Sequence, residues 1–227
     1  MKKYLIAGAA FIASLSSSAF AANFTGPYAG VVLGPNVFQS GYSQSAAANG
    51  GGATKANSTN TLFNYGLVAG YGSTFGQYYV GGELTFSTQT GETKYNATSA
   101  ANTGNAYATI KETYSINPVV RLGAMIAPKT LAFVKLGAAG TQIKVNAQPF
   151  TTPALSTTYK KTLWGYSMGL GMETLVTDSV SIRADFTHNI YPTKTFTIAN
   201  GANATNQGKI SPRDNIVRIG ASYHFSL

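Results

Sequence analysis

The chain has 227 residues, no cysteine, a formal net charge of +9 and only 10% charged residues, against about 25% in an ordinary soluble domain. Without cysteine there is neither a disulfide scaffold nor a thiolate metal centre, and no run of Lys or Arg exceeds a pair, which leaves nucleic acid without a basic patch. Beyond the N-terminal segment no stretch holds 18 consecutive apolar residues, so a helical membrane span is excluded as well.

In chain order the first element is a short basic start, Met1-Lys2-Lys3-Tyr4, followed by an apolar core from Leu5 to Leu15 and by Ala19-Phe20-Ala21. Basic start, apolar core and small-x-small site in that order predict a secretory signal peptide over 1–21, with Ala19 and Ala21 directing cleavage, and a single domain over 22–227. That domain carries eight period-2 segments, at about 27–37, 62–72, 77–88, 110–126, 131–145, 162–176, 180–191 and 214–227. The last is the clearest. Val217, Ile219, Ala221, Tyr223, Phe225 and Leu227 fall on one face, and Arg218, Gly220, Ser222, His224 and Ser226 on the other.

Connections alternate in length. Residues 72–76, 127–130 and 177–179 read as short turns, whereas 38–61, 89–109, 146–161 and 192–213 read as long polar loops. This order predicts an all-β chain folded as an eight-stranded antiparallel up-and-down transmembrane β-barrel, with both ends on the short-turn side.

Phase then sorts the side chains. Outward aromatics gather in two girdles, Phe63, Tyr65, Phe86, Tyr114, Trp164 and Tyr166 toward the loops and Tyr71, Tyr78, Tyr223 and Phe225 toward the turns. Seven charges take the inward, glycine-rich phase: Glu83, Arg121, Lys135, Glu173, Arg183, Asp185 and Arg218. A soluble barrel would carry its charges outside and its apolar residues inside, the reverse of this pattern. Glu173 and Arg183 are equidistant from Asp178, which predicts that they face and pair across that hairpin. An eight-stranded barrel has room inside only for side chains, so these charges are expected to form one paired belt in the lower half.

The segments 28–34, 131–140 and 169–191 resemble strands of small eight-stranded outer-membrane proteins, the OmpA transmembrane barrel and the opacity-type surface proteins. Arg218-x-Gly220-x-x-Tyr223-x-Phe225 likewise resembles the C-terminal signal read by the barrel-insertion machinery, although Ser226 and Leu227 follow the final aromatic. The resemblance implies a protein of the outer membrane of a Gram-negative cell, surrounded by lipid and lipopolysaccharide. It would be an anchor presenting four extracellular loops, for envelope integrity or for contact with a host or surface ligand, with its termini periplasmic. Two alternatives accompany it: a narrow gated ion pore and a lipid A-modifying enzyme.

Little supports catalysis. Of the two histidines, His188 takes the lipid-facing phase near the loop end, and His224 with Ser226 lies at the turn end with no acid expected on its face. No cofactor or metal is expected. Bases outnumber acids near the loops, with Lys55, Lys94, Lys111, Lys160, Lys161, Lys194, Lys209 and Arg213 against Glu92, Glu112 and Asp214. Lys160 and Lys161, just above Trp164 and Tyr166, are the pair expected to meet lipopolysaccharide phosphates.

Overall fold

Alternating apolar and polar side chains build strands almost throughout, and glycine and proline also fall inside them, as at Gly70, Pro118 and Gly169. The computed structural model describes residues 24–44, 54–91, 93–97, 106–149, 157–199 and 205–226. The expected signal peptide with Ala19 and Ala21 lies outside these residues, as do Glu92 and the side chains of Lys55 and Lys94. The strands are β1 (Gly26–Gln44), β2 (Thr54–Phe75), β3 (Tyr78–Thr90), β4 (Thr93–Ala97), β5 (Ala106–Ala127), β6 (Thr130–Pro149), β7 (Thr157–Leu175), β8 (Val180–Ile190), β9 (Lys194–Ala199) and β10 (Thr205–His224).

All pairings are antiparallel between neighbours, and β10 pairs back onto β1 to close the cylinder. Eight staves make the barrel, because two of the strands are continuations. β4 takes up the pairing with β5 at Thr93↔Ile110, above the place where β3 leaves it at Ser87↔Ser115, and Gly91 at φ 108° marks the break. β9 resumes the pairing of β8 with β10 after Tyr191-Pro192-Thr193, where proline has no N–H for the ladder.

The staves run further toward the loops than hydrophobic periodicity indicated. Much of 38–61, 89–109, 146–161 and 192–213 is paired backbone, for example Gln44↔Thr54, Ala106↔Pro149 and Ala147↔Thr157. Above the membrane neither face has to be apolar, so the period-2 signal fades while the hydrogen-bond ladder continues. At the other end β2 reaches Phe75, which reduces the first turn to Gly76-Gln77, with Gly76 at φ 61°.

Two bulges interrupt the β5–β6 register, one between Glu112 and Tyr114 and one between Met125 and Ala127. Each adds one unpaired residue and so reverses the side-chain phase beyond it.

The outer face is apolar yet uncovered. Leu170 is 60% exposed and Ile182 52%, within a continuous ring that includes Val31, Leu67, Leu122, Leu136 and Ile219. Exposure on this scale, over charged residues buried inside, fits a wall surrounded by lipid. Nine of the ten girdle aromatics are exposed. Tyr114 is half-buried because its ring stacks on Phe86, with centroids 5.9 Å apart.

Candidate functional site: the barrel lumen

The lumen is filled in three layers. At the turn end Phe24, Tyr79, Met125, Leu131, Phe133 and Leu175 form an apolar cluster. Leu131 and Phe133 share the phase of Lys135, and Tyr79 that of Glu83, so alternation alone would have placed them inside; attention to charges passed them over.

The middle layer holds the seven charges, all buried. Arg183 forks onto Glu83, Nη1 to Oε2 at 2.8 Å and Nη2 to Oε1 at 3.0 Å, and also reaches Asp185 at 3.3 Å. Arg121 sits at the centre. It donates to Glu83 at 3.1 Å, to the Tyr28 hydroxyl at 2.9 Å and to Glu173 at 2.5 Å, and its guanidinium lies 3.9 Å from the Phe133 ring centroid. Lys135 and Arg218 both converge on Asp185 Oδ1, at 2.5 and 3.2 Å. Planar guanidinium forks suit this task, because each can satisfy two or three acceptors in fixed directions.

The Glu173–Arg183 expectation fails in an instructive way. The two are register partners across the hairpin, yet their side chains do not bond. Arg183 extends across the lumen to Glu83, whereas Glu173 accepts from Arg121 and from the Ser181 hydroxyl at 2.6 Å. In a narrow lumen the far wall is as close as the next strand, so register does not decide the partner. His224 corrects the reading a second time. Its Nε2 lies 3.2 Å from Glu173 Oε1 and 3.0 Å from Ser181 Oγ, so an acid does share its face. Its partner hydroxyl is Ser181, while Ser226 is exposed. The carboxylate and the hydroxyl meet the same ring nitrogen, so this trio lacks the acid–base–nucleophile chain in which the acid orients the opposite nitrogen. His188 holds Asn215 Oδ1 at 2.8 Å on the outward phase.

Long side chains cross the lumen wall over glycines. Tyr28, Gly70 and Glu83 are in register on β1, β2 and β3, and the Tyr28 ring passes over Gly70 to donate to Glu83 at 2.9 Å. A Cβ at Gly70 would fall 2.5 Å from both Cζ and the hydroxyl of Tyr28. Gly70→Ala should therefore displace Tyr28 from Glu83 and cost about 1–3 kcal/mol by overpacking. Equilibrium unfolding in vesicles measures this, with Gly82→Ala, where a Cβ meets nothing within 4 Å, as the matched control.

The upper layer was missed by sequence reasoning. Glu112 and Asp214, expected near the loops, are buried in the lumen. Glu112 accepts from Gln89 at 2.5 Å and Thr141 at 2.6 Å. Asn36 donates to both Gln89 and Asp214, and Tyr191 donates to Asp214 at 3.2 Å. Neutral amides and hydroxyls thus serve two carboxylates that have no basic partner among the described residues. Asp214 was within reach of the sequence, since it keeps the phase of Arg218. Glu112 was not, because the bulge after it puts it in the lumen against the phase of Arg121.

A cylinder with a lipid-facing wall and a packed, charged interior defines an integral membrane barrel. The family model described as "Outer membrane protein beta-barrel domain" matches residues 7–225. The chain belongs to that family, and its place is the outer membrane. Among solved structures it is similar to the outer membrane protease OmpT from Escherichia coli, at 12% identity over 94% of this chain and 99% of that one, with a TM-score of 0.52. It is also similar to OprG from Pseudomonas aeruginosa, at 14% over 88% and 97% with a TM-score of 0.49. A third likeness is to Ail, the attachment invasion locus protein of Yersinia pestis, at 11% over 88% and 100% with a TM-score of 0.41. These are likenesses of fold. A comparison with curated proteins finds none that matches.

Proposed function

We infer that the protein is a closed outer-membrane anchor that presents its loop end at the cell surface, serving envelope integrity or adhesion to a host or surface ligand rather than catalysis or transport. The observation that carries this reading is the lumen's middle layer. Four bases and three acids, each bonded to one or more of the others, span the cross-section and rest on an apolar cluster. In this reading the turn end and both termini are periplasmic, the segment 1–21 is removed on export, and the last strand, with Arg218, Gly220, Tyr223 and Phe225, is what the insertion machinery recognises.

The runner-up, a narrow gated pore, draws support from Arg183, which touches both Glu83 and Asp185 and so has a second acceptor available if one bond opens. Single-channel recording separates the two: the closed anchor holds baseline conductance across the physiological voltage range, and steady openings by the parent barrel would reject it. A lipid A-modifying enzyme would show as altered lipid A masses in expressing cells, which the anchor leaves unchanged. Deleting each loop in turn and measuring surface binding then identifies which loop carries adhesion.

A further inference from the structure

We propose that Lys111, Lys144 and Lys160 form a docking site on the outer wall for the phosphates of an outer-leaflet lipopolysaccharide molecule. The three are in register on adjacent strands, Lys111↔Lys144 across β5–β6 and Lys144↔Lys160 across β6–β7. All three take the outward phase. Lys144 follows buried Ile143, and Lys160 is out of step with buried Leu163. Lys111 joins them only because of the bulge at Thr113. The phase of Arg121 would send residue 111 inward, and the extra residue turns Lys111 out as it turns Glu112 in. Lys161, the other half of the pair expected from sequence, takes the lumen phase at the rim and does not belong to the row.

Neighbouring strands lie about 4.8 Å apart, so the backbone carries three ammonium groups in a line about 10 Å long. Like charges directly across a strand pair are unfavourable, and a bridging anion relieves that. The protein supplies no such anion here among its described residues. Glu83, Glu112, Glu173, Asp185 and Asp214 are buried in the lumen, and Asp178 pairs with Lys129 at the turn end.

The position selects the anion. Lys160 lies four residues beyond Trp164 on β7, about 13 Å along a strand and about 10 Å along the membrane normal at the usual tilt. Below it Trp164, Tyr166, Met168 and Leu170 form one exposed aromatic-to-aliphatic wall. A single ligand with phosphates on its sugars and acyl chains beneath matches both levels, whereas a free polyanion would use the lysines alone. The proposal rests on the outer-membrane placement carried by the family match and on the orientation proposed above, with the loop end at the cell surface, and not on the lumen being closed.

The test compares melting of the barrel in vesicles of phosphatidylcholine alone, with lipopolysaccharide, and with the same lipopolysaccharide after removal of its lipid A phosphates. The parent should be stabilised by the phosphorylated form and much less by the dephosphorylated one. K111Q/K144Q/K160Q should lose that difference while melting like the parent in phosphatidylcholine. Its affinity for the phosphorylated form should fall about fivefold per lysine. The arginine triple variant should keep the difference, and if the glutamine triple does not fold, K144Q alone carries the comparison. K194Q/K209Q/R213Q removes the same charge from exposed positions elsewhere at this end and should retain the effect. Equal loss in that control, retention in the glutamine triple, or full stabilisation by inorganic phosphate would each overturn the proposal.

Discussion

Arg121→Ala is expected to destabilise the barrel more than any other single substitution in the belt. Its removal strips Glu83 and Glu173 of a shared cation and Tyr28 of a donor, and opens a void against Phe133. Breaking a buried pair by deleting one partner costs about 3–5 kcal/mol in soluble interiors. Glu83 keeps Arg183, so the penalty falls mainly on Glu173, which retains only Ser181 and His224. A double-mutant cycle distinguishes partner from neighbour. Arg121 and Glu173 should show a substantial coupling energy, and Arg183 and Glu173 a small one despite their shared register. A strong coupling of the second pair and none of the first would overturn the belt geometry. Conductance of the same variants bears on the closed-anchor reading: Arg121→Ala, which loosens the centre of the belt, is where leakage should first appear.

The second large effect lies on the opposite face. Leu170→Arg places a charge on the lipid-facing wall near the bilayer midplane, at a cost of about 2–4 kcal/mol, whereas Ile182→Arg, two residues from the Val180 that pairs with turn-girdle Tyr223, should cost less. Folding into vesicles, read as the shift in gel mobility between unheated and boiled samples, should fail or demand milder conditions for both. Thr162→Arg, on the same outward phase of β7 but beyond Trp164, should fold like the parent. Normal folding of Leu170→Arg would mean that the wall does not face hydrocarbon.

These two experiments probe opposite faces, and the faces were the most legible property of the sequence. Strict alternation in β7, β8 and the end of β10 separated wall from lumen residue by residue, because a one-residue slip would send charge into lipid. What alternation could not supply was the third dimension. It placed Glu173 opposite Arg183 correctly and said nothing of Glu83 or Arg121, whose side chains approach across the lumen. It also assumed unbroken strands, so the bulge at Thr113 concealed both the burial of Glu112 and the outward turn of Lys111. The membrane imposes the pattern only over its own thickness. Beyond the girdles the strands continue without it, and what read as loop was backbone already paired.

The seam between β1 and β10 bears on how such a chain can be assembled. Residues on its two sides, such as Asn36 and Asp214, are 178 positions apart, yet the pairing runs from Tyr28↔His224 to Gln44↔Gly208. Until the final strand arrives, β1 and β8 both offer unsatisfied backbone edges, the arrangement that invites pairing with a foreign strand, and in hydrocarbon those edges have no water to turn to. Closure therefore waits on the last strand of the barrel, β10. A chain cut short before β10 would lose one stave of eight and, with it, the closure of the cylinder. It would be an open, self-adhesive sheet with both edges free to pair.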